Sequence, residues 1–202
     1  MPGFFLVFEG GDGAGKTTQL TALRQALADT GREIVVTREP GGTPVGQAIR
    51  DVLLHGEHVA PRAEALLFAA DRAHHVATVV RPALERDAIV LQDRYLDSSI
   101  AYQGAGRALE ADDVRGLSLW GTQGLLPDLT VLLDVPAGTG RERRGEVHDR
   151  LEREADDFHG RVREHFLALA AAEPQRYLVL DATRAADDLA KDIEAAVRER
   201  LT

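Results

Sequence analysis

The sequence predicts an α/β domain with a parallel five-stranded sheet and helices on both of its faces. Three observations carry that prediction: five short apolar runs, amphipathic helical patterns between them, and a chain without internal repeats or low-complexity linkers. Strands that alternate with helices favour parallel pairing, because each helix returns the chain to the same end of the sheet. At 202 residues the chain is expected to form one compact domain over residues 1–202.

The predicted strands are apolar segments, rich in β-branched or aromatic residues and bounded by Gly, Asp or Pro. In chain order they cover Phe4–Phe8, Glu33–Thr37, Ala88–Leu91, Leu129–Leu133 and Tyr177–Leu180. Such nearly continuous apolar runs are typical of strands that are buried on both faces of a parallel sheet.

Helical patterns fill the segments between these strands. The predicted helices cover Thr17–Thr30, Val45–Leu54, Pro61–Arg86 with a break before Pro82, Ala111–Gly121, Leu151–Ala172 and Ala185–Leu201. In the fifth of these, apolar residues recur every three or four positions, as the buried face of a helix requires. They are Phe158, Val162, Phe166 and Leu169.

Composition and charge exclude several functional classes. Lys and Arg number 24 against 33 Asp and Glu, and the net charge of −9 disfavours a broad basic face for a nucleic-acid polymer or an anionic membrane. No apolar run approaches the roughly 20 residues that cross a bilayer. The chain has no cysteine for a disulfide or a thiolate metal site, and no secretion-type leader pattern. We therefore expect a soluble cytoplasmic protein with small-molecule partners.

A phosphate-binding motif lies between the first predicted strand and the first helix. The sequence GGDGAGKT at Gly10–Thr17 matches G-x-x-x-x-G-K-[ST]. Its glycines allow main-chain N–H groups to turn toward a phosphate, and the helix N-terminus adds partial positive charge. Lys16, one of only two lysines in the chain, is expected to reach the β and γ phosphates. Thr17 is expected to offer its hydroxyl to Mg²⁺.

This motif predicts nucleotide binding and leaves the phosphoryl acceptor open. A Ras-like GTPase is disfavoured, because a chain without Asn cannot build the Asn-Lys-x-Asp reader of guanine. Loops that follow the second and third strands bring Arg38, Asp93 and Arg94 to the same end of the sheet, where ligands collect. Guanidinium groups can hold a phosphate bidentately, and Asp93 could bind Mg²⁺ directly or through water. On this segment alone, Arg38 could equally be a solvated residue of a Pro-Gly turn.

Six segments of the chain resemble bacterial thymidylate kinases, in the order and with the spacings of that family. They are FEGGDGAGKTT (8–18), TREPGGT (37–43), LFAADR (67–72), DRYLDSSIAYQG (93–104), PDLTVLLDV (127–135) and DRLE (149–152). The resemblance implies a P-loop NTPase fold of the nucleoside monophosphate kinase type. It also implies transfer of the γ-phosphoryl group of ATP to dTMP with Mg²⁺, in a homodimer. The Ala-rich helix Pro61–Val80 is a candidate for the dimer interface.

The resemblance also implies two substrate sites, residue by residue. The dTMP phosphate would be held by Arg38, Arg72 and Arg94. Thymine would stack on Phe68, with the base and sugar lined by Ser98, Ser99, Tyr102 and Gln103. ATP would be bound by Gly10, Gly11, Asp12, Gly13, Ala14, Gly15, Lys16, Thr17 and Thr18, with Thr183 and Arg184 near the adenine. Asp12 would lie near the acceptor sugar and the reacting phosphates. Phe68 and Arg72 are four residues apart and share a helix face, although on that spacing alone they could be a core residue and a rim residue.

A segment at about 138–153 is predicted to be a lid. It concentrates arginines in an acidic chain, namely Arg141, Arg143, Arg144, Arg150 and Arg153. A solvated charged helix is the alternative, since glutamates interleave with them. Phosphoryl transfer leaves charge on equatorial oxygens, however, and the phosphate loop contains no arginine. Arg150, in DRLE, resembles the family pattern most closely, and Arg141 and Arg144 are candidates for ATP contacts.

The predicted reaction is an in-line attack by a dTMP phosphate oxygen on the γ-phosphorus. An acceptor phosphate with a second pKa of about 6 is already anionic, so no general base is required. The predicted catalytic set is Lys16, Asp12, Arg94 and Arg150, and the predicted metal ligands are Thr17 and Asp93. Two alternatives remain: a kinase for another small acceptor, and a nucleotide-dependent switch without an acceptor.

Overall fold

The computed structural model describes residues 2–106, 109–143, 150–151 and 153–201. Within these residues, five parallel strands form one sheet in the order β2-β3-β1-β4-β5. The strands are β1 Phe4–Glu9, β2 Ile34–Arg38, β3 Ile89–Asp93, β4 Leu129–Asp134 and β5 Tyr177–Asp181. The predicted fold class is confirmed, and each end of each predicted strand lies within two residues of its predicted position.

The central strand β1 brings the motif-bearing loop to the middle of the sheet edge. All six residues of β1 are buried, because β3 and β4 flank it and helices cover both faces. Strands β2 and β3 end one and two residues later than predicted, since their ladder continues until Arg38 lies beside Asp93. Both of these predicted ligand-binding residues therefore lie at the carboxyl edge, next to the end of β1.

α-Helices surround the sheet, and short 3-10 and π-helical segments extend some of them. The α-helices are α1 Lys16–Ala26, α2 Pro44–Arg50, α3 Pro61–His75, α4 Arg81–Glu85, α5 Leu96–Ser99, α6 Ala111–Thr122, α7 Ala137–Arg143, α8 Asp156–Ala172 and α9 Ala186–Leu201. A 3-10 helix, Leu27–Thr30, extends α1. π-helical turns extend α2, α3 and α5, over Asp51–His55, Val76–Val80 and Ile100–Gly106.

The structure refines two of the predicted helices and adds a helical region outside them. The break expected before Pro82 is the π-helical turn Val76–Val80, at the place where proline lacks a main-chain donor. The helix predicted from Leu151 begins only at Asp156, because the N–H of Arg150 bonds to the Leu54 carbonyl and holds this segment against the end of α2. Residues 96–106, for which no helix was predicted, are helical.

The core lies on both faces of the sheet. On one face, Leu6 and Phe8 pack with Leu23 of α1 and Ile193 of α9. Alternate residues of β1, such as Val7, point to the other face and join a cluster with the π-helical turn Val76–Val80, with Ala83 of α4 and with Val114 of α6. Among the described residues, no helix is both long enough and apolar enough to cross a membrane.

Candidate active site

A cavity of about 760 Å³ opens at the carboxyl edge of the sheet. Its walls come from the loop between β1 and α1, the ends of β2 and β3, helices α3 and α5, and the segment between β5 and α9. Chain segments that are far apart in the sequence therefore meet around one space. Most of the predicted site residues lie in its wall.

The loop between β1 and α1 follows a path that only glycine can take at two positions. Gly10 and Gly13 have φ angles of 132° and 77°, in the region that side chains disfavour. A Cβ on Gly10 would lie 2.4 Å from the carbonyl oxygen of Leu133, and a Cβ on Gly13 would lie 2.2 Å from that of Gly140. The loop is therefore packed tightly between β4 and α7, which fixes the direction of its main-chain N–H groups.

Lys16 lies inside this loop. It is 7% exposed, and its ammonium group donates to the carbonyls of Gly10 and Gly11 at 3.2 and 2.9 Å. Burial, followed by the positive charge of Arg94, lowers the pKa of Lys16, while neighbouring carboxylates oppose that shift. The ammonium is thus held by weak neutral acceptors, which a charged phosphate oxygen could replace.

Arg94 connects the phosphate loop to helix α5. Its guanidinium forms an ion pair with Asp12, and its Nη1 donates to the carbonyl of Gly10 at 3.1 Å and to Ser98 Oγ at 3.0 Å. The hydroxyl of Tyr102 donates to the other oxygen of Asp12 at 3.0 Å. Burial raises the pKa of Tyr102, so this hydroxyl stays protonated. Asp12, Arg94 and Tyr102 therefore form one connected unit in the cavity wall.

Arg38 and Arg72, both predicted to hold a phosphate, have different environments. Arg38 is exposed in the cavity wall and makes one long contact, 3.5 Å, with Gln47. Arg72 is 2% exposed, and its Nε forms an ion pair with Glu39 at 2.8 Å. Its other nitrogens donate to the Oγ atoms of Ser99 and Ser118 at 2.9 and 3.0 Å. The charge of Arg72 is therefore compensated inside the protein.

The predicted base-binding residues converge on one side of the cavity. Phe68, Ser99 and Gln103 all lie in its wall. The amide nitrogen of Gln103 donates to Glu64 Oε1 at 3.0 Å. Glu64 is fully buried and is not among the predicted site residues.

Two predicted metal ligands lie at the carboxyl edge of the sheet. Asp93 ends β3, and its Oδ1 is buried with no hydrogen-bond partner among the described residues. Thr17 is in the first turn of α1 and lines the same cavity. An unpartnered carboxylate oxygen and a hydroxyl are the hard oxygen donors that Mg²⁺ prefers, so the donor set fits that ion.

Glu9 is a second residue that sequence reasoning left unassigned. It is fully buried; one carboxylate oxygen accepts from the N–H groups of Tyr95 and Ser98 at 2.8 and 3.1 Å, and the other from Ser98 Oγ at 2.5 Å. Burial, reinforced by the neighbouring Asp97, raises the pKa of Glu9 to about 7. Glu9 thus joins the start of the phosphate loop to the start of α5. The signal in the sequence is its position directly before the motif.

The lid segment is described in part. Arg143, on α7, lines the cavity and donates to the carbonyl of Ala182 at 2.8 Å. Arg141 is exposed on the same helix, and Arg144 lies outside the described residues. Near the end of β5, Thr183 bonds to Asp181 at 2.7 Å, while Arg184 lines the cavity and pairs with Asp192 at 2.8 Å.

The position of Arg150 differs from the catalytic position that was expected. Its Nε donates to the carbonyl of Leu53 at 2.8 Å, and its Nη2 forms an ion pair with Glu64. The physical reason is the full burial of Glu64, whose carboxylate requires a cationic partner. In this structure Arg150 thus supports the base-binding side of the cavity, and its guanidinium is held there.

Comparison with known proteins gives consistent matches. Residues 8–193 match the family model described as "Thymidylate kinase". The chain is 62% identical over 199 residues to the thymidylate kinase of Clavibacter sepedonicus, covering 96% of this chain and 94% of that relative. It is 59% identical over 204 residues to the thymidylate kinase of Leifsonia xyli subsp. xyli, with 99% and 97% covered. For that of Deinococcus radiodurans the identity is 53% over 202 residues, with 98% of both chains covered.

Proposed function

This chain belongs to the thymidylate kinase family and is therefore an enzyme of dTMP phosphorylation, and we propose that it uses ATP with Mg²⁺ to form dTDP and ADP. The observation that carries the proposal is the shared cavity, in which the phosphate loop faces side chains of α3 and α5. The Asp12–Arg94 ion pair joins the two sides. Donor and acceptor phosphates bound in this cavity would meet beside that pair.

The triphosphate of ATP would be bound by the main-chain N–H groups of Gly10–Thr18 and by Lys16. Lys16 would exchange the carbonyls of Gly10 and Gly11 for β and γ phosphate oxygens, a stronger charge-assisted interaction. Thr17 and Asp93 would hold Mg²⁺, directly or through water. When bound, Mg²⁺ would neutralise charge on the β and γ phosphates.

The dTMP phosphate would be bound by Arg38 and Arg94, whose guanidinium groups line the cavity. We assign Arg72 to the base, because Glu39 already neutralises its charge and Ser99 fixes its orientation. Arg72 can only donate, whereas Gln103 keeps a carbonyl oxygen that can accept. One donor and one acceptor, beside the ring of Phe68, match a pyrimidine with a 4-keto oxygen and an N3–H.

Transfer would proceed by positioning and charge stabilisation, without an obligatory general base. A phosphate oxygen of dTMP would attack the γ-phosphorus in line, and Arg94 would hold the acceptor phosphate while Asp12 orients Arg94. Lid arginines would add charge on the donor side. Arg143 is the best supported of these; Arg141 and Arg144 remain candidates, and a role for Arg150 would require its release from Glu64.

We also propose that the protein is a cytoplasmic homodimer. Large apolar side chains are exposed on three neighbouring helices: Val45 of α2 is 51% exposed, Leu66 of α3 57% and Trp120 of α6 81%. Such a surface favours burial against a second copy. Light scattering should give the mass of two chains, and Trp120→Asp should reduce it to one. Val179→Asp, at an exposed position of edge strand β5, is the control. A single-chain mass for the unmodified protein would contradict the proposal.

A coupled assay of ADP release tests the activity. We expect the highest kcat/KM with dTMP, appreciable turnover of dUMP because one methyl group is worth only about 1 to 3 kcal/mol, and little with dCMP, dGMP or dAMP. dTMP should also raise the melting temperature without ATP, since its site is separate from the phosphate loop. Highest activity with a purine monophosphate would overturn the assignment.

A further inference from the structure

Glu64 lies between a base-binding side chain and the lid. It is on α3 and is 0% exposed. Its Oε1 accepts from the amide nitrogen of Gln103 at 3.0 Å, and its Oε2 from the guanidinium of Arg150. Gln103 is itself only 1% exposed. Water therefore cannot substitute for either partner, and the orientation of each group is set by its protein neighbours.

The carboxylate of Glu64 determines which end of the Gln103 amide faces it. An ionised carboxylate can only accept hydrogen bonds, so the amide must present Nε2. The opposite orientation would bring the amide oxygen against a carboxylate oxygen in a site without water, which is strongly unfavourable. The carbonyl oxygen of Gln103 is thus left for the cavity, and no described residue donates to it.

Arg150 stabilises this arrangement from the other side. Its guanidinium can only donate, and its Nε is fixed to the carbonyl of Leu53 at 2.8 Å. The ion pair compensates the buried charge of Glu64. Arg150 and Gln103 therefore both donate to Glu64, and neither accepts a hydrogen bond from it.

We propose that Glu64 is a positioning residue that selects the acceptor base through Gln103. By fixing the amide, Glu64 makes the pocket accept a hydrogen bond from a base that carries N3–H, as thymine does. Cytosine has an acceptor at N3 and would face the Gln103 oxygen without a donor. The inference rests on the proposed function, because it concerns the same acceptor site.

The variant Glu64→Gln should reverse the Gln103 amide. Arg150 would still donate, and it would take the carbonyl oxygen of the new side chain. The new amide nitrogen would then face Gln103, whose own oxygen would turn to accept from it and whose nitrogen would turn to the cavity. We expect the ratio of kcat/KM for dTMP to that for dCMP to fall by about tenfold or more, with an unchanged KM for ATP.

A second variant tests the same step with the carboxylate moved to position 103. In the exchange Glu64→Gln with Gln103→Glu, position 103 can only accept, so it should keep dTMP ahead of dCMP by at least the wild-type ratio. Glu85→Gln, an exposed change of the same type on α4, is the control and should leave the ratio unchanged. Thermal unfolding of each variant shows whether it is folded.

The inference is overturned if Glu64→Gln lowers both activities by the same factor, or if the exchange variant prefers dCMP. If Glu64→Gln alone does not fold, the ratio measured for the variant with both Glu64→Gln and Gln103→Glu tests the inference. If the wild-type protein had no activity on dTMP, the proposed function would be refuted instead. The wild-type activity is therefore measured before any variant is compared.

Discussion

The donor and acceptor sides of the cavity are built in different ways. The donor side is one continuous segment, Gly10–Thr17, in which main-chain groups and tight glycine contacts define the shape. The acceptor side is assembled from side chains on several elements, each held by a carboxylate: buried Glu39 holds Arg72, partly exposed Asp12 holds Arg94, and buried Glu64 holds Gln103. Changes on the donor side should therefore affect catalysis as a whole, whereas changes on the acceptor side should shift the choice of substrate.

The largest effect is expected at the one side chain that the donor side requires. Lys16→Ala should lower kcat by about 10³-fold or more, because it removes the cation nearest the transferring phosphoryl group. The fold should be retained, since the ammonium bonds only to carbonyls of the loop. Coupled ADP release measures the loss.

Lys191→Ala is the matched control, because Lys191 is the only other lysine and pairs with Asp188 on the surface of α9. Its activity should equal that of the wild type. Wild-type turnover by Lys16→Ala would falsify the role of the phosphate loop.

A smaller and more selective effect is expected on the acceptor side. Arg94→Ala should raise the KM for dTMP by about 100-fold, because a desolvated charged contact is lost, and should change the KM for ATP far less. Initial rates at varied dTMP and at varied ATP separate the two. Arg24→Ala, an exposed position on α1, serves as the control. Equal rises in both constants would show that Arg94 acts mainly by holding the phosphate loop through Asp12.

The same contrast explains how much could be predicted from the sequence. The phosphate loop is local, so its residues and its position after β1 were predicted directly and the fold class was confirmed. The acceptor residues came mainly from family resemblance, because their partners are distant: Asp12 and Arg94 are 82 positions apart.

Residues whose role depends on pairing could not be found from a single sequence. Glu64 and Arg150 are 86 positions apart, so their pairing could not be predicted, and the catalytic prediction for Arg150 rested on the resemblance of DRLE to the family pattern. Glu9 and Glu39 were missed for the same reason, since burial of a glutamate has no local signature.

Glu9 connects the donor side of the cavity to the acceptor side. Its titration should make the free energy of unfolding depend on pH. Burial and then Asp97 raise its pKa from 4.5 to about 7, so the folded protein binds this proton more tightly than the unfolded chain. That contribution is complete below about pH 4.5 and is lost as the pH rises through about 7. Glu9→Gln removes the titration. Its unfolding free energy relative to wild type should therefore increase by up to about 3 kcal/mol between about pH 5 and pH 8.

Urea unfolding at several pH values measures this difference. The exposed change Glu85→Gln should give a difference that does not vary with pH. A flat difference for Glu9→Gln would mean that the carboxylate stays ionised in the folded protein across this range.

The smallest effect is expected at the lid, where Arg143 adds a side chain to the donor side besides Lys16. Helix α7 packs directly on the phosphate loop, because a Cβ on Gly140 would lie 2.5 Å from the carbonyl oxygen of Asp12. Arg143 therefore has a defined place, bonded to Ala182 in the cavity wall. Arg143→Ala should raise the KM for ATP by about tenfold and leave the KM for dTMP unchanged, with a smaller change for Arg141→Ala on the same helix. If Arg141→Ala raised the KM for ATP more than Arg143→Ala does, the placement of Arg143 at the ATP site would be wrong. If Arg143→Ala raised the KM for dTMP, the donor and acceptor sides would not be independent.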